Sequence, residues 1–343
     1  MKLSVIIPYY NGEQWIACCL NSLLRQDLAP EEYEIIVVDD GSTHSIDTLM
    51  SYVERHPNIH YLHQTNQKHA AARNYGMTIA KGDYLFFCDC DDYVADNVFG
   101  RLCDIAIGEQ ADVLLFNVCR SEENETGLVA KRDFDNKASF ENGLAYISQP
   151  PYGFRIESPI LVRRSMLEEE HLCFDPLMFN CEDYLFSLQL MQVAGKVVKV
   201  DVDVYYYVQH PSSWVHSAGI ANNRNEVINC RLTYIKYLHK TRLELAAGKR
   251  VSEGCLDAMS HAEARDTVIY LCNHLQYSSI KENKEYIGEL RSLGFYPIAH
   301  RIVAYDWIRR LINIYPLWMV LCCFYHLLPL PVRDGIVKAI RKE

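Results

Sequence analysis

An α/β fold with a mostly parallel sheet flanked by helices, followed by a helical C-terminal extension, is what this 343-residue sequence predicts, on three observations. Runs dominated by β-branched and aliphatic residues at 3–7 and 34–38 read as strands buried on both faces of a sheet. Between them Ile16, Leu20, Leu23 and Leu24 recur at helical spacing, which makes a β-α-β unit with a right-handed crossover. After about residue 220 the strand signals fade and helix-like patterning takes over.

The elements follow in order. The first strand ends at Pro8, and the second leads into a helix at 46–55. A short strand at 59–63, a helix at 69–80, a strand at 84–88, a helix at 96–108 and a strand at 112–118 complete the next rounds. Residues 121–158 are polar, contain Pro150-Pro151, and read as a connection. The apolar run KVVKVDVDVYYYV supplies a late strand. The expected division is a catalytic-type domain over 1–218 and a helical region over 219–343.

A hydrophobic content of 49% excludes a disordered chain, and a net charge of −10 argues against a nucleic-acid backbone as partner. The thirteen cysteines include no C-x-x-C pair and read as reduced thiols of a cytoplasmic protein. The apolar start, broken by Pro8, is too short for a signal peptide.

Ligands of open α/β sheets gather beyond the carboxyl ends of the strands. Four stretches fall there or beside them. FFCDCDDYV sets Asp89, Asp91 and Asp92 after a strand, either as a solvated turn or as a two-carboxylate site for Mg²⁺ or Mn²⁺. An EF-hand starting at Asp89 is excluded, because Val94 and Gly100 stand where it needs Gly and Glu. Asp39-Asp40-Gly41-Ser42 is a tight turn or a carboxylate aimed at a base or ribose. NQKHAAARNYG offers Arg73 and Asn74 on a helix, for a salt bridge or for a ligand. Glu182-Asp183 either favours a helix N-terminus or supplies a general base.

In this order and spacing, SVIIPYYNGEQWIACCLNSLLRQ, EIIVVDDGS, NQKHAAARNYG, GDYLFFCDCDDYV and CEDYLFSLQLM resemble the family 2 inverting glycosyltransferases of the GT-A fold, over about residues 1–215. The resemblance implies that Pro8, Tyr10 and Glu13 line a nucleotide-binding loop, that Asp40 contacts the uracil-ribose part of a UDP-sugar with Asp39 in support, and that Arg73 lies near the donor. It further implies a metal pair, Asp89 and Asp91, with Asp91 the direct ligand, and Asp183 as catalytic base beside Glu182. His210 and Ser213 match positions that reach the metal or diphosphate. The implied cofactor is Mn²⁺ or Mg²⁺. The implied partners are a UDP-sugar donor and a glycan or lipid-linked glycan acceptor, in synthesis of a surface polysaccharide. Lys68 departs from the pattern, standing where many relatives have glycine. No Q-x-x-R-W motif follows, which speaks against a processive synthase.

The stretch 309–342 is apolar in the middle and basic at both ends, and Pro316 and Pro329 leave it too short to span a bilayer, which takes about 20 residues. Two readings stand: a buried hairpin, or an interfacial helix whose Trp318 and Phe324 enter a membrane while Arg309, Arg310, Arg333, Lys338 and Arg341 meet head groups, placing the protein peripherally on the inner face of the cell membrane. Two rival functions stand beside this one. A haloacid dehalogenase-type phosphatase uses D-x-D after a strand, but near the chain start. A non-catalytic sugar-nucleotide-binding protein does not need Asp89, Asp91 and Asp183 together.

Overall fold

The computed structural model describes residues 1–122, 131–149, 160–178, 180–210, 224–248, 251–277, 279–301, 306–325, 328 and 332. The chain divides into two compact units, 1–146 with 155–222, and 147–154 with 223–343.

In the first unit, β1 (Leu3–Tyr9), α1 (Ile16–Leu24), β2 (Tyr33–Asp39), α2 (Asp47–Arg55), β3 (Ile59–His63), α3 (Lys68–Ile79) and β4 (Tyr84–Phe87) form the expected β-α-β rounds. They are followed by β5 (Tyr93–Val94), α4 (Phe99–Gly108), β6 (Val113–Glu122), β7 (Arg132–Phe140), α5 (Gly143–Ile147), β8 (Leu161–Arg163), α6 (Arg164–Glu169), α7 (Glu182–Val193) and β9 (Val197–Gln209). Among the described residues one sheet runs β3-β2-β1-β4-β8-β6-β9-β5, with β7 also on β9. β3, β2, β1 and β4 are parallel neighbours, as are β6 and β9. β8 runs antiparallel to both β4 and β6, and β5 and β7 run antiparallel to β9, so the sheet is mixed.

Val5, Ile7, Ile35, Val37 and Phe86 are fully buried in its core, each such side chain worth roughly 1.5–3 kcal/mol. β1 continues through Pro8 to Tyr9, past the expected end. β4 pairs only with Leu3–Ile6 of β1, so the proline interrupts no ladder on that side. The stretch expected as a plain connection contains β7 and α5. β7 was hidden because its side chains are nearly all exposed and polar, so it carries no alternation. It is held instead by pairing with the long β9, with a register shift between Asp133 and Lys137.

In the second unit, α8 (Arg224–Gly248), α9 (Glu253–Tyr277), α10 (Ile280–Ser292), α11 (Asp306–Asn313) and α12 (Tyr315–Tyr325) enclose Ile235, Val268, Leu271, Ile287, Ile312 and Trp318. Ser279 and Glu282 form a reciprocal capping box at the start of α10. Trp318 is fully buried, as the buried-hairpin reading has it and against its place in a membrane in the interfacial reading. Along α12, Trp318, Cys322 and Tyr325 face the core while Leu317, Val320 and Phe324 are about half exposed or more (49%, 50% and 57%). No single helix among the described residues is long and apolar enough to cross a membrane; α11 and α12 pass that test only as a pair bent by 101°.

The turn into β4 depends on contact too close for any side chain. The Gly82 N–H donates to Ser4 Oγ at 2.8 Å, and Ser4 Oγ donates to the buried Glu34 at 2.6 Å. A Cβ on Gly82 would stand 2.4 Å from backbone atoms of Leu3 and Ser4. Gly82→Ala is expected to lower stability by about 1–3 kcal/mol in urea unfolding, since backbone cannot rotate away. A loss under about 0.5 kcal/mol would show that the turn yields.

Candidate active site

Three loops and one helix start converge in the first unit. After β2, Asp39 and Asp40 are both buried. Asp39 accepts from the Ser42 N–H at 2.9 Å and from the Tyr61 hydroxyl at 2.9 Å. Asp40 accepts from the Gln67 and Lys68 N–H groups at 2.7 and 2.8 Å and from Gln64 Nε2 at 2.8 Å. The pair therefore staples the β2 turn to the start of α3. Gly41, at φ +74°, allows the close pass: a Cβ there would meet the Asn66 nitrogen at 2.9 Å.

The loop after β1 is tied to the same turn. The Asn11 side-chain oxygen accepts from the Thr43 and His44 N–H groups at 2.8 and 3.1 Å, and Glu13 lies 2.8 Å from His44 Nδ1. Tyr10 is exposed beside this loop, and Pro8 lies in β1 just before it.

The three carboxylates after β4 separate into distinct environments. Asp92 is 2% exposed. It accepts from the Tyr205 hydroxyl at 2.5 Å and the Val208 N–H at 2.8 Å, which fastens the loop to β9. The same Tyr205 oxygen accepts from the Asp89 N–H at 3.1 Å. Asp89 Oδ1 accepts from Arg73 at 2.7 Å, and Asp91 Oδ2 lies 3.0 Å from Nε2 of the buried His210. The His210 ring packs on Trp15 at 4.4 Å between centroids. Burial, and then the charge of Asp89, push the Asp91 carboxyl up from its ordinary value, with His210 partly offsetting them.

Arg73 connects this loop to α7. It is buried, its Nη2 donates to Asp89 and its Nη1 to Glu182 Oε1 at 3.0 Å, and its guanidinium covers the Phe174 ring at 5.3 Å. His69 Nε2 lies 2.8 Å from the same Glu182 oxygen. Burial alone would raise the Glu182 carboxyl, but His69 and Arg73 outweigh it and hold it at about 2. The adjoining Asp183 behaves oppositely. Burial, then the negative Glu182, raise it to about 7, against smaller opposing effects of the Tyr184 N–H, Arg73 and His69. One carboxylate is thereby fixed in its charged form and its neighbour poised near neutrality.

Sequence reasoning thus named residues that the fold brings together: Arg73, Asp89, Asp91, Glu182, Asp183 and His210. Asn74 is structural, its amide bonded both ways to the Phe174 backbone at 2.7 and 2.9 Å. Ser213 lies outside the described residues. Missed were His69, Trp15, Tyr205 and Phe174. The i, i+4 spacing of His69 and Arg73 on α3 was the one available signal, whereas the other three are recognisable only through long-range contacts. Among the described residues no group of three or more His, Cys, Asp or Glu forms a complete metal cage.

The sequence pattern described as Glycosyl transferase family 2 matches residues 4–170. The chain is 38% identical over 243 residues to the uncharacterized glycosyltransferase YibD of Escherichia coli, covering 68% of each. It is 33% identical over 213 residues to the poly(ribitol-phosphate) β-glucosyltransferase of Bacillus spizizenii, covering 61% of this chain and 32% of that one. It therefore spans about a third of the length of that relative. The solved structure of Staphylococcus aureus TarS 1–349 in complex with UDP-GlcNAc superposes with a TM-score of 0.63 at 21% identity, covering 95% of this chain and 92% of that one. The fold is GT-A, and the chain belongs to glycosyl transferase family 2.

Proposed function

We propose that the protein is a metal-dependent inverting glycosyltransferase that moves a hexosyl or N-acetylhexosaminyl group from a UDP-sugar to a hydroxyl of a glycan or lipid-linked glycan, in synthesis of a surface or wall polysaccharide. The observation that carries the proposal is the split pair Glu182-Asp183 at one end of the Arg73 bridge, with the Asp89–Asp91 loop at the other. A similar fold that binds UDP-GlcNAc and relatives that glycosylate poly(ribitol-phosphate) support the donor and acceptor classes. A phosphatase reading is set aside, since family membership and the Arg73 contact on Asp89 give that carboxylate another partner.

Asp183 takes the proton of the acceptor hydroxyl, which attacks the anomeric carbon opposite the leaving diphosphate; a single displacement inverts the configuration. Glu182 stays charged and paired. Asp39 and Asp40 hold the nucleotide end of the cleft in shape, with Pro8, Tyr10 and Glu13 on the neighbouring strand and loop. Asp89 and Asp91 fit a divalent cation in chemistry: hard oxygen donors, crowded like charge, and few enough ligands to leave positions for phosphate oxygens. Such an ion, when bound, neutralises the leaving diphosphate. His210 orients Asp91.

The exposed face of α12, Leu317, Val320 and Phe324, with Trp307 exposed on α11, supports contact with an anionic membrane surface. Arg301, Arg309 and Arg310 outnumber the single Asp306 they share, a local positive excess in an acidic chain. We assign the protein to the inner face of the cell membrane on this basis.

Three outcomes test the reading. UDP release from UDP-Glc, UDP-Gal, UDP-GlcNAc and UDP-GalNAc should depend on Mn²⁺ or Mg²⁺, and Asp91→Ala should weaken UDP binding and remove its sensitivity to EDTA. Affinity untouched by both mutation and chelation rejects the metal site.

For the base, the rate should fall on the acid side with a midpoint near 7, because only the ionised Asp183 accepts a proton. Asp183→Asn should cut turnover by about 10²–10⁴-fold with UDP binding retained. The same variant should be more stable than the parent at pH 8. A carboxyl raised in the folded state favours folding below its unfolded value and loses that contribution as pH rises through about 7, a loss an amide avoids. Turnover above a tenth of the parent rate identifies another base.

For the membrane, Leu317→Glu combined with Phe324→Glu should abolish co-sedimentation with phosphatidylglycerol-containing vesicles while UDP release continues. Unchanged sedimentation rejects this face.

A further inference from the structure

We propose that His69 is a positioning residue of this active site: it shares Glu182 Oε1 with Arg73, and the two together fix the first turn of α7 and hence the direction of the Asp183 carboxylate. The inference rests on Asp183 being the base. His69 and Arg73 stand four residues apart on one face of α3, and both reach the same oxygen, at 2.8 and 3.0 Å.

Two features give the second hold its role. Arg73 is committed on its other side to Asp89, so alone it would couple the helix start to every movement of that loop. The N-cap of α7, Cys181, sits at φ +67° and makes no side-chain cap hydrogen bond, and within the turn Asp183 Oδ1 accepts from the Tyr184 N–H at 2.8 Å. That local bond ties the Asp183 carboxylate to the turn itself, so the grip of α3 on Glu182 carries the orientation of the turn over to Asp183. Glu182 is 6% exposed and His69 is half-buried, so the contact is shielded from competing water. Phe174 braces the arrangement, lying under Arg73 and stacked on Phe186 of α7 at 4.1 Å between centroids.

The test compares His69→Leu, His69→Gln and His69→Asn using the UDP-sugar of the four above that releases UDP fastest. His69→Leu should lower kcat by about 10–100-fold, the scale on which misplacing a reacting group acts, while KM for the UDP-sugar stays within about twofold. His69→Gln, whose amide N–H can still reach Glu182, should recover most of the loss. His69→Asn keeps a donor but is too short to reach, and should resemble Leu; it carries the test if the Leu variant does not fold. Parental kcat in either the Leu or the Asn variant overturns the proposal, as does a Gln variant no better than Leu. Asp183→Asn assayed in parallel separates the two claims: if it turns over normally, the base assignment fails and this inference with it. If Asp183→Asn is inactive while the Leu variant has parental kcat, only the role of His69 is lost.

Discussion

The guanidinium of Arg73 is the interaction on which the rest of the site depends. It is buried, and one of its nitrogens holds the loop after β4 while another holds the start of α7, segments 93 residues apart in sequence, from Asp89 to Glu182. A buried cation in such a place is tolerable only because both carboxylates meet it. Removing Glu182, the buried partner, costs roughly 3–5 kcal/mol, and removing the half-exposed Asp89, whose contact water screens, costs less. The bridge is therefore a geometric constraint more than a source of net stability. It sets the separation between the Asp89–Asp91 loop and the Glu182-Asp183 pair.

The same charge explains how neighbouring carboxylates acquire different characters. Glu182 receives the direct contacts of Arg73 and His69 and stays ionised. Asp183, next in sequence, receives mainly the low polarity of its surroundings and then the field of Glu182, which both favour its proton. In the Asp-rich loop the division is by partner. Asp92 is bonded to Tyr205 and the β9 backbone, Asp89 to Arg73, and Asp91 faces His210. Asp89 and Asp91 then remain partly exposed while Asp92 is enclosed. Burying Asp92 shapes the loop that presents the other two.

Local signals carried much of the fold into view. β1 and β2 were legible because strands covered on both faces need near-continuous apolar runs, and α1 because one face repeats at helical spacing. α4 was expected three residues early, and the reason is physical. Its first N–H groups are capped from elsewhere, by Gln26 accepting from Val98 and Phe99 and Asp27 accepting from Gly100, so no cap residue marks its start. β7 was illegible because its stability comes from β9 rather than from its own side chains. The candidate site divides in the same way. The acidic and basic members stand in short ordered motifs, whereas Tyr205, Trp15 and Phe174 act by reaching across the fold, which no local pattern encodes. For Trp318 the sequence left two readings open for a related reason: an 11-residue helix that is apolar on every side does not say which side meets the core.

Lys68 shows how a departure from expectation follows from the same architecture. Its φ of +74° lies in the left-handed region, where a residue with a Cβ is held at a cost of roughly 1–2 kcal/mol. The Gln67 and Lys68 N–H groups meet one Asp40 oxygen each, a convergence set by the dihedrals of Gln67, φ −131° and ψ 12°. The left-handed turn follows it, where the chain leaves Asp40 to enter α3, a step that glycine takes without strain. Lysine accepts the strain because the Asp40 contacts over-determine the turn. The positive side chain at the mouth of this loop is thus carried on a backbone fixed by the buried acid beneath it. The side chain at position 68 can change in charge and length while the turn, and with it the placement of His69 and Arg73 on the helix that follows, stays as Asp40 sets it.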